Sequence, residues 1–227
     1  VAVDTPTDED LAALVADDLA QADRWLATVL GHTPTALKYS LAGAGLSPVQ
    51  QLLCAAIAES TGAEVVLHGV LSTKSISAGE LRVADIWPVV PYENTIGCAW
   101  LTVAEIRAIM EEAADYLGTK RYFGTWGLQY EVHPDAPRGH RIRRVRAVDG
   151  SPIHPKTRLK VALNSYHVAG GGGRFPEMNR ILNRPPARLQ HGDVPMRQMV
   201  MDYIQAHPQL SMPAGTNAVV VRDGPGR

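Results

Sequence analysis

The sequence predicts an α+β domain in which a mixed β-sheet is covered by packed helices. Three observations predict it. Well-formed helix starts recur, Ser47-Pro48-Val49-Gln50 and Thr102-Val103-Ala104-Glu105 among them, each opening a run with apolar residues at helical spacing. Around these helices lie short apolar runs of strand length, near 63–68, 95–101, 127–133 and 158–164. The 227 residues are 45% hydrophobic and 20% charged, which suits one globular domain with short appendages.

Taken in order, residues 1–8 are polar and predict a loose start. Thr7-Asp8-Glu9-Asp10 then supplies a cap and first-turn acids for a helix. Leu11, Leu14, Val15, Leu19, Ala22, Trp25, Leu26 and Val29 recur at helical spacing and carry that helix to about Gly31-His32. Ser47 as N-cap, Pro48 at the first turn and Gln50 three residues on start a second helix, which runs to about Ser60 with Gly62 just past it. Residues 63–68 read as a strand, 81–87 as a short helix or turn, and 95–101 as a strand. In the helix opened by Thr102, Ile106, Ile109, Met110, Ala113 and Leu117 make one apolar face, and Gly118 is placed to cap the end. Strands follow near 127–133, 141–148 and 158–164, the last two joined through Asp149-Gly150 as a hairpin. Residues 194–207 read as a helix with Met196, Met199, Val200, Tyr203 and Ile204 inward, a methionine stripe of the packing kind. From Pro213 the tail adds one strand, Ala218 to Arg222, before a Gly-Pro-Gly end.

Several function classes are disfavoured. The net charge is −1 with no long basic block, which argues against a dedicated nucleic-acid binder. Arg141, Arg143, Arg144 and Arg146 crowd one strand, but no aromatic residues interleave, so a solvated or edge strand is the better reading. No apolar run approaches the ~20 residues of a membrane-spanning helix. The chain opens at Val1 without a methionine, as either an excised piece or a processed product does, and no secretory apolar segment is visible in it. Cys54 and Cys98 lie in apolar contexts on separate elements and read as buried thiols, not a disulfide. The eight histidines are scattered singly, without metal-site spacing, and His133 on a strand reads as structural. No nucleophile elbow is present either.

One stretch stands out. The strand ending at Asn164 empties into Ser165-Tyr166-His167-Val168-Ala169 and then four glycines, 170–173, followed by Arg174 and Phe175. Glycine runs cost chain entropy and pack nothing, so they are worth having where backbone must approach a ligand closely; a plain surface loop is the other reading. Neither a Lys-Ser/Thr pair nor G-x-G-x-x-G spacing accompanies the run, which excludes a P-loop or dinucleotide fingerprint.

Asn164 to Phe175 resembles the Asn-x-Phe-x-Ala-x-Gly-Gly-Asp-Gly-Phe/Tyr signature of the C-terminal domain of 5'-nucleotidases. Further likenesses fall in the same order along residues 25–207. Val89-Val90-Pro91-Tyr92-Glu93-Asn94-Thr95 is similar to that family's Leu-Pro-Phe-x-Asn stretch, and residues 101–117 to its Leu-Thr-Gly helix. Arg121 to Leu128 is similar to its Arg-Phe-Leu-Gln-x-Ser-Gly-Leu stretch, and residues 134–145 to its Pro-Gly-x-Arg-Val loop and strand.

The resemblance implies three segments: residues 1–24 as an N-terminal piece and linker-helix start, 25–212 as the 5'-nucleotidase C-terminal-like domain, and 213–227 as a tail. It implies a substrate-binding domain that grips a nucleotide or nucleoside between two aromatic rings, Tyr122 (or Phe123) and Phe175. The backbone of Gly170, Gly171, Gly172 and Gly173 then passes close by, with Arg174, Lys74 and Asn164 as polar candidates. The family's metal motifs, Asp-x-His, Gly-Asn-His-Glu/Asp and Gly-His-x-His, are not in this chain. No cofactor is therefore expected here; a divalent metal pair is expected in an upstream metallophosphatase domain, and this chain alone is expected to be inactive. Residence in the periplasm or outside the cell is implied by resemblance only.

The chain also departs from the family. Its substrate-holding arginine falls at Thr73, with Lys74 beside it as a point donor, and the acid of Gly-Gly-Asp-Gly falls at Gly172. A non-catalytic structural or interaction module is accordingly the rival reading.

Overall fold

The computed structural model describes residues 8–41, 43–69, 71–185, 189–213, 215 and 217–222. The start at residues 1–7 and the Gly-Pro-Gly end lie outside the described residues.

In chain order the elements are α1 (Glu9–Leu26), β1 (Val29–Thr33), α2 (Pro48–Thr61), β2 (Val65–His68), β3 (Gly79–Arg82), α3 (Val83–Ile86), β4 (Thr95–Thr102) and α4 (Val103–Ala113). There follow β5 (Gly124–Trp126), β6 (Leu128–Val132), β7 (Ile142–Ala147), β8 (Arg158–Asn164), α5 (Ser165–Val168), α6 (Pro176–Leu182), β9 (Gln190–Pro195), α7 (Met196–Ala206) and β10 (Ala218–Val220). The main sheet has five strands in the order β5-β2-β8-β4-β9. It is mixed: β2 and β8 run parallel, whereas β5, β4 and β9 join antiparallel. The α+β class with a mixed sheet and packed helices is therefore observed.

Alternation along the central strands splits the core in two. Val66 and Ala162 face the cluster built with α2 and α7, while Val65, Leu67, Val161 and Leu163 face the one built with α4 and α6. A strand covered on both faces must be apolar on both, which is why Val65-Val66-Leu67-His68 is buried throughout. The predicted helix starts hold: Gln50 Oε1 accepts from the Ser47 amide at 3.0 Å, and Glu105 from the Thr102 amide at 2.8 Å. Met196, Met199, Val200 and Ile204 point into the core from α7. Cys54 is buried and Cys98 half-buried, both free.

Three expectations are corrected, and one helix is added. The first helix stops at Leu26, and Val29–Thr33 is instead a strand paired antiparallel with β3. The β-branched Val29 and the glycine at 31, counted into a helical pattern, favour extended chain over a helix interior. Strand β7 pairs with β6 and not with β8, so Asp149-Gly150 does not join two sheet partners. The turn closes on itself, Gly150 N donating to Ala147 O and Ala147 N to Ser151 O. β8 already has β2 on one side and β4 on the other, and a strand carrying Arg143, Arg144 and Arg146 takes the edge of the three-stranded β10-β6-β7 sheet instead, while Arg141, just before it, is buried. The closing helix begins at Met196, because residues 190–195 form the edge strand β9 and end in a proline. Finally, Pro176 at a first turn opens α6, whose Met178, Ile181 and Leu182 are buried at helical spacing.

α1 carries the predicted apolar stripe without covering it: no residue of the helix is buried, and Leu14 is 78% exposed. Among the described residues no helix is long and apolar enough to cross a membrane.

Candidate functional site

Parallel strands β2 and β8 end side by side, and their carboxyl ends open on a cleft of about 430 Å³. Crevices of this kind are where sheets bind ligands, since loops leaving adjacent strands diverge there. The floor comes from the strand ends, His68 closing β2 with Gly69 after it, and Asn164 closing β8 with His167 beyond it. Tyr92 and Asn94 line one side, Tyr166 and Arg174 another, and Lys120 and Arg121 add positive charge at the rim.

Local chemistry sets each wall. Asn164 is 1% exposed, and its Oδ1 accepts from the Tyr166 amide at 2.7 Å, capping the short α5 and aiming Tyr166 outward. The glycine run is folded: Gly170 N donates to His167 O at 2.9 Å and Gly173 N to Gly170 O at 2.9 Å. Gly171 has φ +57°, and a Cβ there would lie 2.7 Å from the Phe175 ring, so the run is glycine for conformation and close approach. Arg174 turns back over it, donating from Nε to Gly171 O at 2.8 Å and from Nη2 to the Tyr166 hydroxyl at 2.6 Å. Its guanidinium stands 5.3 Å from the Tyr166 ring centroid.

The opposite wall hangs from α7. Met196 N donates to Asn94 O at 2.8 Å, and Arg197 Nε to Val90 O at 3.0 Å, bracketing Tyr92. Arg197, 5% exposed, also pairs with Glu93 and lies 3.6 Å over the Trp87 ring. Trp87 in turn meets Trp25 of α1 edge-on at 5.1 Å. Arg197→Met is expected to cost about 1–3 kcal/mol by orphaning these partners. Faster amide hydrogen exchange across residues 90–95 checks that the loss falls on the Tyr92 wall, and protection equal to wild type there counts against it.

Two histidines at the floor are neutral at pH 7. Burial holds His68 down to about 4, the Gly69 backbone opposing weakly. Burial, then the nearby His68 and Arg174, hold His167 down to about 3. His167 sits among rings, 5.3 Å from Phe123 and 5.4 Å from Phe175.

Of the residues expected to bind, Asn164 and Arg174 reach the cleft. The expected ring pair is not what the fold presents. Phe123 is 2% and Phe175 1% exposed, packed edge-to-face at 5.2 Å. A base between two rings needs them parallel and about 7 Å apart, twice the van der Waals spacing. Tyr122 is also buried, its hydroxyl 3.2 Å from both Ala44 O and the Tyr130 hydroxyl. All three serve the core. Gly171, Gly172 and Gly173 shape the turn behind Tyr166, and Lys74 is exposed outside the cleft lining. The exposed rings of this cleft are instead Tyr92, 58% exposed, and Tyr166, 45% exposed. Sequence reasoning passed over both, although each lies inside a quoted motif. Tyr166 stands where the signature Asn-x-Phe-x-Ala has its phenylalanine, and Tyr92 where Leu-Pro-Phe-x-Asn has its own.

A larger groove of about 830 Å³ lies between α4, β7 and α6, but its main polar groups are internally satisfied. Arg107 donates to Gly139 O and Ile142 O, and Glu111 accepts from three backbone amides of residues 139–142. Among the described residues no group of three or more His, Cys, Asp or Glu could hold a metal ion.

Fold and cleft together define an α+β domain with an open crevice at its strand ends. Residues 29–180 match the family described as 5'-nucleotidase, C-terminal domain, and the chain belongs to that family. A curated relative, the trifunctional nucleotide phosphoesterase YfkN of Bacillus subtilis (strain 168), is 25% identical over 174 residues, 63% of this chain and 11% of the relative. The 5'-nucleotidase precursor from Thermus thermophilus superposes with TM-score 0.78 at 19% identity, over 97% of this chain and 45% of that one. The NAD nucleotidase NadN of Haemophilus influenzae gives 0.78 at 16% identity, over 97% and 42%. This chain thus spans under half the length of those structures and about a tenth of the curated relative.

Proposed function

We propose that this domain binds a nucleotide or nucleoside and orients it for a metal-dependent phosphoester hydrolase domain carried upstream. The base stacks between Tyr92 and Tyr166, while Lys120, Arg121 and Arg174 attract the phosphate end. The observation that carries the reading is the pair of exposed aromatic rings in one cleft, above a buried polar floor and beside a basic rim. The relatives support it by what their names say of them: a nucleotide phosphoesterase, a 5'-nucleotidase and an NAD nucleotidase. Bond breaking is left to the other domain and its metal pair, and closure of the two completes the site. The divisions at residues 24 and 212 and an exported location belong to the same proposal.

Calorimetric titration of adenosine and AMP into the domain tests this. Stacking contributes ~1–3 kcal/mol per base, so Tyr92→Ala and Tyr166→Ala are each expected to weaken binding about tenfold or more. Saturable binding that both substitutions leave untouched, or none at millimolar ligand with folded protein, sinks the reading in favour of a structural module.

A further inference from the structure

Two surfaces remain that the cleft does not use, and they match. Along α1, Leu11, Leu14 and Leu19 are 58%, 78% and 59% exposed, and no residue of the helix is buried. A surface helix normally turns such a stripe to the core. The helix is also acidic: Glu9, Asp10, Asp17, Asp18 and Asp23 stand against Arg24 alone, in a chain whose net charge is only −1. The second surface is the groove of about 830 Å³ between α4, β7 and α6. Its floor is apolar, made by Ala104 and Ala108 of α4 with Val145, Ile153 and Pro155, and Arg107, Arg138, Arg143, Arg144 and Arg180 rim it. Its acids are spent within the chain. Glu112 accepts from the Glu177 and Met178 amides at 2.9 and 3.0 Å, and Glu177 pairs with Arg180. Arg143 uses Nε on His140 O at 2.9 Å, and its Nη nitrogens have no partner among the described residues. Arg144 has φ +50°, where side-chain-bearing residues rarely sit, at a bulge that sets two residues of β7 against Tyr130. The bulge breaks the alternation of a strand, so Arg143, Arg144 and Val145 all line the groove.

We propose that α1 of a second copy of this chain lies in the groove, its leucines on the alanine floor and its carboxylates among the arginines. The helix cannot fill the groove of its own chain. Trp25 meets Trp87 just past α3, and Leu26 packs on the α2/α7 cluster, whereas the groove opens on the α4/α6 side of the main sheet. Amphipathic helices dock apolar face down, and complementary charge sets their partner and register. At ~3.6 residues per turn, Asp10 and Asp17 flank the leucines on one side and Asp23 on the other, where both rims of the groove can meet them. The free edge of β7, bulged at Arg144, is a poor template for an added strand, which leaves a helix as the fitting occupant. Helix and groove are different patches, so two copies that exchange helices form the smallest closed assembly. The inference is independent of the stacking reading and of any ligand.

Sedimentation equilibrium of the whole chain, read from low to high micromolar concentration, tests this. Wild type is expected to rise from 24.5 kDa towards twice that mass. Leu14→Asp and Arg143→Glu both change exposed residues, and each is expected to weaken association about tenfold or more. Mixing the two variants is expected to restore a heterodimer, because the intact helix of Arg143→Glu meets the intact groove of Leu14→Asp. Wild type that stays at 24.5 kDa throughout overturns the proposal and leaves the stripe to an upstream segment or a different molecule. Association that Leu14→Asp abolishes and Arg143→Glu leaves untouched overturns it in favour of two α1 helices pairing with each other. Should either variant not fold, amide hydrogen exchange of wild type decides. Protection is expected to rise with concentration in residues 9–24 and 103–112 together, and a rise in one of them or in neither overturns the proposal.

Discussion

Phe175→Ala is expected to lower the free energy of unfolding by about 3–5 kcal/mol, the range for emptying a large aromatic from a packed core. The ring is 1% exposed and touches Phe123 at 5.2 Å, His167 at 5.4 Å and Tyr116 at 5.5 Å, all edge-on or tilted. It also presses on the Gly171 backbone, where a Cβ would come within 2.7 Å, so the turn cannot simply collapse into the void. Denaturant melts of the two proteins measure the loss. Nucleoside affinity per folded molecule is expected to fall less than for Tyr166→Ala, because Phe175 supports the cleft without lining it. A variant of wild-type stability that no longer binds ligand would return Phe175 to the stacking role expected from the sequence.

Acid is expected to destabilise the domain before its carboxylates titrate. His68 and His167 are held down to about 4 and about 3, against an unfolded histidine near 6.5. The unfolded chain therefore binds protons that the folded one refuses, and stability rises with pH across that interval. The contribution is full well above pH 6.5, begins to fall as the pH nears 6.5, and is lost progressively towards the folded values. Each histidine costs up to about 1.4 kcal/mol per pH unit once its unfolded form is fully protonated, so the pair removes roughly 3 kcal/mol between pH 6.5 and pH 5. Glu105 and Glu177, lowered despite burial by their partners, act in the same direction only below the ordinary carboxylate range, which separates the effects. Urea melts from pH 7.5 to 5 read the slope; His68→Leu is expected to halve it, whatever it does to the absolute stability. A flat wild-type profile over that range rules the buried neutral pair out.

Much of the fold was legible because the signals are local. Ser47-Pro48-Val49-Gln50 and Thr102 to Glu105 carry their own caps, and residues 158–164 declare a strand by composition. Pairing was not local. The Asp149-Gly150 turn has hairpin chemistry, yet β8 pairs with β2 and β4, some 60 to 100 residues earlier in the chain. The site was half legible for a related reason. Asn164 and Arg174 were found because they flank the glycine run, and Phe175 was chosen because an aromatic after glycines suggests a stacking face. Burial decides between a ring that fills and a ring that binds, and burial depends on what Phe123, Tyr116 and His167 bring from other parts of the chain.

By itself the sequence determined the α+β class, the family likeness and the absence here of that family's metal motifs, because periodicity, capping chemistry and motif residues are properties of neighbours along the chain. Only the tertiary structure decided that Tyr92 and Tyr166 share a cleft while Tyr122, Phe123 and Phe175 lie inside the core. It likewise brought His68 and His167, 99 residues apart in number, to the lining of that cleft. The physical reason is the parallel register of β2 against β8, which brings two distant strand ends to one edge of the sheet.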